Sequence, residues 1–174
     1  KHASTTGNIQ FAGYANALQG DCISRVDGGT ITESSFFNQP SNSAAQAWDR
    51  NTETEWIENG SPAWTIYSYN FDRMEWVNKL VIGSTPSDPT LDPVTVNVYG
   101  SSDSVNYVLL YSVTKKSMFS SRKETKEFMM MDHMTSYGKY KIEITEAASG
   151  DLKTGISYLD LLACQLIYFH KDGD

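Results

Sequence analysis

The run 94–111, VTVNVYGSSDSVNYVLLY, constrains the fold more than any other stretch. Val94, Val96 and Val98 alternate with Thr95, Asn97 and Tyr99, the two-residue period of a half-buried strand. Gly100-Ser101-Ser102-Asp103-Ser104 then supplies turn chemistry. Glycine tolerates unusual φ, and short Asp and Ser side chains bond the nearby backbone. Residues 105–111 return as a second apolar strand. Similar runs recur at roughly 10- to 15-residue spacing with turn residues between them, and no long helical period appears. That pattern predicts an all-β sandwich or barrel.

Strands are predicted over 30–37, 64–71, 76–82, 126–131 and 139–145, with Tyr140, Ile142 and Ile144 sharing one face. Residues 156–168 read as a strand pair or one long bent strand. One helical turn fits 44–48. The loops are 38–43, rich in Asn, Pro and Ser; 84–93, with Pro86, Pro89 and Pro93; 115–124, polar and basic; and 147–155. There is no internal repeat. Residues 1–21 read as an N-terminal extension, either a leader or an added edge segment, with Phe11 and Tyr14 as anchors. Residues 22–168 form the expected sandwich and 169–174 a solvated tail.

A chain of 174 residues fits one domain with short tails. Its 40% apolar content supports a core that buries about 70% of the unfolded surface. The 12% aromatic content suits pleated surfaces. A formal charge of −7 repels phosphate backbones, which argues against nucleic acid and against charge-driven binding to anionic membranes. No stretch approaches the ~20 apolar residues of a membrane helix, and no signal-peptide pattern is present. The opening Lys-His-Ala without Met fits a mature form or an excised domain.

Catalytic patterns are absent. Histidine occurs only as His2, His133 and His170, two of them near the termini. Neither a nucleophile elbow, a zinc-protease helix motif nor a phosphate loop is present. Asp132 and His133 are strand neighbours and point to opposite faces. The residues favour a binding module over an enzyme. Cys22 and Cys164 allow two readings, a bridge closing most of the chain or two buried thiols.

Four segments, in order, resemble the discoidin family, also called coagulation factor type C domains. They are Ala47-Trp48-Asp49-Arg50-Asn51-Thr52-Glu53-Thr54-Glu55-Trp56, Pro62-Ala63-Trp64-Thr65-Ile66, the stretch 96–107 with its Ser-x-Asp-x turn, and 137–142 followed by Ile156-Ser157-Tyr158-Leu159-Asp160-Leu161. The resemblance covers about residues 22–166. It implies a single-domain, jelly-roll-like antiparallel β-sandwich of the galactose-binding type, with ligand loops at one end. It also implies an end-to-end disulfide between Cys22 and Cys164, and so an oxidising, extracellular or cell-surface setting.

The resemblance further implies a structural calcium ion, held by the Asp49 carboxylate, the Asn51 carbonyl, the Thr54 hydroxyl and carbonyl, and a carbonyl near Ser157. Tyr158 stands where calcium-binding members often carry Glu, and Arg50 where Gly is usual. Both departures weaken such a site, and Asp49 as a plain turn cap is the competing reading. Trp48, Trp56 and Trp64 align with core positions rather than sugar platforms; Trp76 does not decide between the two.

The ligand surface is expected on Phe37 and Asn38, Glu58 and Asn59, and the 84–92 loop, with Met118 and Phe119 alongside. That loop lacks the Arg and Asn of galactose-binding members and offers Asp88 and Asp92 instead. Phe36-Phe37 or Met118-Phe119 are the candidate apolar spikes for a lipid surface, which the acidic charge disfavours. Asn59-Gly60-Ser61 is a glycosylation pattern followed by Pro62. The function expected is a non-catalytic extracellular adhesion module recognising glycans or glycoproteins. A protein-interaction module of the same fold is the alternative, and a phospholipid-binding domain the more distant one.

Overall fold

The computed structural model describes residues 9–10, 17–35, 41–60, 62–130, 134–150 and 153–168. Phe37, Asn38 and His133 lie outside this set, as does the 169–174 tail. In chain order the strands are β1 (Ile9–Gln10), β2 (Ala17–Ser24), β3 (Gly29–Glu33), β4 (Trp56–Glu58), β5 (Ala63–Tyr69) and β6 (Lys79–Gly83). They continue with β7 (Pro93–Ser101), β8 (Val108–Thr114), β9 (Thr125–Met129), β10 (Lys139–Ala147), β11 (Thr154–Ile156) and β12 (Tyr158–Tyr168). One five-stranded sheet has the order β1-β2-β12-β6-β9 and the other β3-β5-β10-β7-β8, with a small β11-β4 pair beside them. Every pairing is antiparallel. This is the β-sandwich expected from the strand pattern.

The core fills the space between the two sheets. Val94, Val96 and Val98 of β7 are buried and Thr95, Asn97 and Tyr99 are half-buried, as the alternation predicts. On β10, Tyr140, Ile142 and Ile144 are likewise buried. Strand β6 sits between β12 and β9 and is buried at every position. Its Lys79 is only 3% exposed and its ammonium meets Glu127 at 2.8 Å. Trp48, Trp56, Tyr67, Tyr69, Tyr137 and Tyr140 add an aromatic layer. The Trp48 indole N–H donates to Thr65 Oγ1 at 3.1 Å, so its polar edge is satisfied inside.

Three sequence expectations are corrected. Trp64 is half-buried on the outward face of β5, because Thr65, Tyr67 and Tyr69 take the inward positions. A two-residue period fixes which residues share a face and leaves open which face turns in. Strand β6 begins at Lys79, so Trp76 lies in the approach to it. In the 100–104 turn the left-handed φ of +67° falls on Ser104. Gly100 serves another purpose: a Cβ there would lie 2.5 Å from the Tyr137 ring.

Cys22 and Cys164 face each other across β2 and β12 and form the disulfide. The Asn78 side chain bonds both backbone groups of Cys164, at 2.7 and 2.9 Å, and fixes this corner. The antiparallel order sends the loops at 70–75 and 102–107 and the approach to β10 to one end of the sandwich. The 84–92, 115–124 and 148–150 segments go to the other end.

Candidate functional site

At that second end lies an open cleft of about 480 Å³. Ser87, Pro89 and Asp92 come from the β6–β7 loop, 116–122 from the β8–β9 loop, and Ala148 from the end of β10. Each wall is pinned. Met118 (2% exposed) and Phe119 (8%) plunge into the core and anchor the β8–β9 loop. This corrects their reading as exposed apolar spikes. The Glu124 carboxylate accepts from the Ser120 and Ser121 backbone N–H groups, at 2.6 and 3.1 Å, and closes the turn above them. The Lys126 ammonium bonds the other oxygen of Glu124 at 2.5 Å. Together these hold the Glu124 carboxyl down at about 2, with Lys126 the largest cause.

Asp88 caps the 3₁₀ turn Pro89–Leu91 by accepting from the Thr90 N–H at 2.8 Å. The Thr90 backbone and hydroxyl bonds keep the Asp88 carboxyl below its usual range. Asp92 is 7% exposed and accepts a two-pronged bond from Arg122, Nη1 to Oδ1 at 2.7 Å and Nη2 to Oδ2 at 2.5 Å. Arg122 Nη1 also donates to the Thr85 carbonyl at 3.3 Å. Sequence reasoning found no Arg in the 84–92 loop; the structure brings one from 30 residues further on. The signal for it was the basic run 115–126, which stands out in an acidic chain.

Glu58 is not available to a ligand. It is 1% exposed and accepts from Ser34 Oγ at 2.5 Å, the Ser35 N–H at 2.7 Å and the Asn59 and Gly60 N–H groups at 3.0 Å. The Ser35 hydroxyl adds a further short bond. Burial pushes its carboxyl up, but the Ser34, Ser35 and Gly60 donors outweigh that and hold it low. Asn59 is exposed beside it. Asp92 is therefore the predicted ligand residue that lines the cleft, while Asp88 sits between the lining residues Ser87 and Pro89 with its carboxylate turned to Thr90.

The Asp49 loop flanks the cleft: Lys123 pairs with Glu53 at 2.7 Å, and Ser87 Oγ donates to Glu55 at 2.8 Å. Asp49 Oδ1 accepts from the Asn51 N–H at 2.9 Å, which is the turn cap foreseen as the competing reading. Around Thr54 Oγ1 stand three acceptors: Asp49 Oδ2 at 2.6 Å, the Asn51 carbonyl at 2.9 Å and the Gln46 carbonyl at 3.0 Å. One hydroxyl proton serves one of them at a time, so four oxygens converge with acceptor capacity to spare. That donor set fits a hard cation, with Gln46 as a member the sequence did not suggest. Ser157 is not among these contacts. Its buried hydroxyl donates to the Ser84 carbonyl at 2.6 Å. Arg50 turns away with φ +62° and donates to Ser24 Oγ at 2.9 Å and the Val26 carbonyl at 3.0 Å. Among the described residues no three of His, Cys, Asp and Glu gather into a metal cluster.

No protein-family model matches the sequence, and no curated protein does. Solved structures do. An F5/8 type C domain from Bacteroides fragilis superposes with a TM-score of 0.67 at 12% identity, over 84% of this chain and 97% of that one. The Clostridium perfringens module CpGH89CBM32-5, solved with GalNAc-β-1,3-galactose, gives 0.65 at 15% identity over 78% and 96%. The CBM32 of AlyQ, solved with 4,5-unsaturated mannuronic acid, gives 0.61 at 16% identity over 83% and 97%. At such identities the likeness establishes the fold: this is the discoidin-type, galactose-binding-like β-sandwich.

Proposed function

We propose that this chain is a non-catalytic glycan-binding module that receives its ligand in the cleft between the 84–92 and 115–124 loops. The observation that carries the reading is the cleft itself, built from loops held rigid by Met118, Phe119, Glu124 and the Asp92–Arg122 pair. Structural neighbours of the same fold, the modules from Clostridium perfringens and AlyQ, were solved with sugars bound. Preformed walls lower the ordering cost of binding. The disulfide fits work outside the cell, and among the described residues no helix is long and apolar enough to cross a membrane. In this reading the oxygens of Asp49, Asn51, Thr54 and Gln46 hold one calcium ion. The ion stiffens the loop flanking the cleft and takes no part in chemistry.

The test is affinity electrophoresis against a panel of polysaccharides, with two variants. Ala148→Trp fills the cleft and is expected to abolish retardation. Phe71→Ser, at the opposite end, is expected to leave it intact. Retardation unaffected by Ala148→Trp would overturn the cleft as the site.

A second reading, a protein-contact surface, draws on that opposite end. Phe71 is 99% exposed, with Val105 at 79%, Met134 at 76% and Met74 at 49% on the neighbouring loops. A panel with no retarding polysaccharide, together with a protein partner lost on Phe71→Ser, would select it.

A further inference from the structure

The cleft carries a charge opposite to that of the molecule around it. The residues lining it hold two cations, Lys116 and Arg122, against the single carboxylate of Asp92. The whole chain is at −7. At physiological salt, charges beyond about 8 Å are largely screened, so a ligand in the cleft responds to this local excess.

The hydrogen-bond inventory points the same way. The acceptors in and beside the cleft are already engaged: Asp92 by Arg122, Glu124 by Ser120, Ser121 and Lys126, Asp88 by Thr90, and Glu55 by Ser87. The donors are not. Lys116 lines the cleft and makes no ion pair among the described residues. Arg122 commits Nη1 to Asp92 and Thr85 and one N–H of Nη2 to Asp92, leaving two of its five N–H groups unbonded. The cleft thus offers unspent positive donors and little unspent acceptor.

Resting on the glycan reading above, we propose that the cleft selects anionic saccharides, holding a sugar carboxylate or sulfate against Lys116 and the free edge of Arg122. The Asp92 clamp keeps the guanidinium in place for that contact. A planar guanidinium offers paired N–H groups to such oxygens, and the lysine supplies a second, mobile charge.

The experiment compares four polymers on the intact chain by isothermal titration: polygalacturonate, carrageenan, neutral galactan and, as a polyanion without sugar, polyglutamate. The expected result is binding to a charged polysaccharide at least about 10-fold tighter than to galactan. It should weaken several-fold between about 50 and 500 mM NaCl, as a screened contact must. Lys116→Gln should lose most of the preference, and Lys139→Gln, at the other end, should keep it. Preference for polygalacturonate assigns the carboxylate, and preference for carrageenan the sulfate. Galactan bound as well as the charged polymers, without response to salt or Lys116→Gln, overturns the charge selection and leaves the glycan reading standing. Polyglutamate bound as tightly as the polysaccharides overturns it as saccharide recognition. If no saccharide binds, both readings fall.

Discussion

Single residues show where the chain departs from its own conformational preferences. Ser104 and Arg50 both hold a left-handed φ, +67° and +62°, a conformation that favours glycine. The two departures have different consequences. Ser104 is exposed and donates only its backbone N–H, to Ser101 Oγ. Ser104→Gly should therefore relieve the strain of about 1–2 kcal/mol without losing a contact. Thermal unfolding should shift up by about 2–4 °C per kcal/mol in a domain of this size. Arg50→Gly relieves the same strain but removes the bonds to Ser24 Oγ and the Val26 carbonyl. Its melting temperature should stay level or fall, and a rise equal to that of Ser104→Gly would show those bonds to be worth nothing. Glu58 gives a third case. Glu58→Gln turns an amide N–H₂ toward backbone N–H donors in a buried site, and should cost about 2–3 kcal/mol in denaturant unfolding. A neutral result would mean that the amide finds another orientation. None of this is legible from sequence, because a Glu beside Asn-Gly reads as an exposed loop residue until Ser34 and Ser35 are brought to it from 24 and 23 positions away.

At the scale of elements, alternation placed the strands and left the loops to tertiary structure. The runs at 94–101 and 139–147 were readable because valine, tyrosine and isoleucine repeat every second residue on a half-buried sheet. Met118 and Phe119 were misread because an adjacent apolar pair in a polar loop has no period, and here both enter the core. Asp92 and Arg122 meet only because β7 and β9 bring their leading ends to the same pole. The 47–56 motif was readable, though only the fold brings the Gln46 carbonyl to it. Its calcium proposal has a direct check. Sites in extracellular modules bind with dissociation constants of about 10⁻⁴–10⁻³ M, and one carboxylate with Arg50 adjacent puts this one at the weak end. About 10 mM calcium after chelation should then raise stability by about 1.4 kcal/mol, through mass action on the folded state alone. Thr54→Val should remove the response, since it deletes the oxygen on which the others converge. A melting curve unmoved by chelator and then calcium leaves Asp49 as a turn cap and nothing more.

For the whole molecule, the carboxylates decide how stability follows pH. Asp27, Glu58, Asp88, Asp103 and Glu124 all titrate below their usual values in the fold. The causes are local: the Arg73 bond at Asp27, the Asn106 bonds at Asp103, and Lys126 with the turn N–H groups at Glu124. A carboxyl depressed on folding contributes stability that is complete above its unfolded pKa and is lost as pH falls through the folded one. For Glu124 that window runs from 4.5 down to about 2. Glu33 works in the opposite sense, raised first by its own burial, and is outnumbered. The melting temperature should therefore be flat from about pH 7 to 5 and fall steadily below about 4.5. Cleft binding should fade over the same range as the turn closed by Glu124 opens, and Glu124→Gln should show the weakened binding already at neutral pH. The disulfide sharpens this prediction. With Cys22 tied to Cys164, the neighbouring strands β2 and β12 stay joined as the acid transition begins. Loss of binding should then precede global unfolding in the oxidised protein. Coincident transitions by cleft binding and by near-ultraviolet circular dichroism would show instead that the cleft loops and the sandwich unfold as one unit.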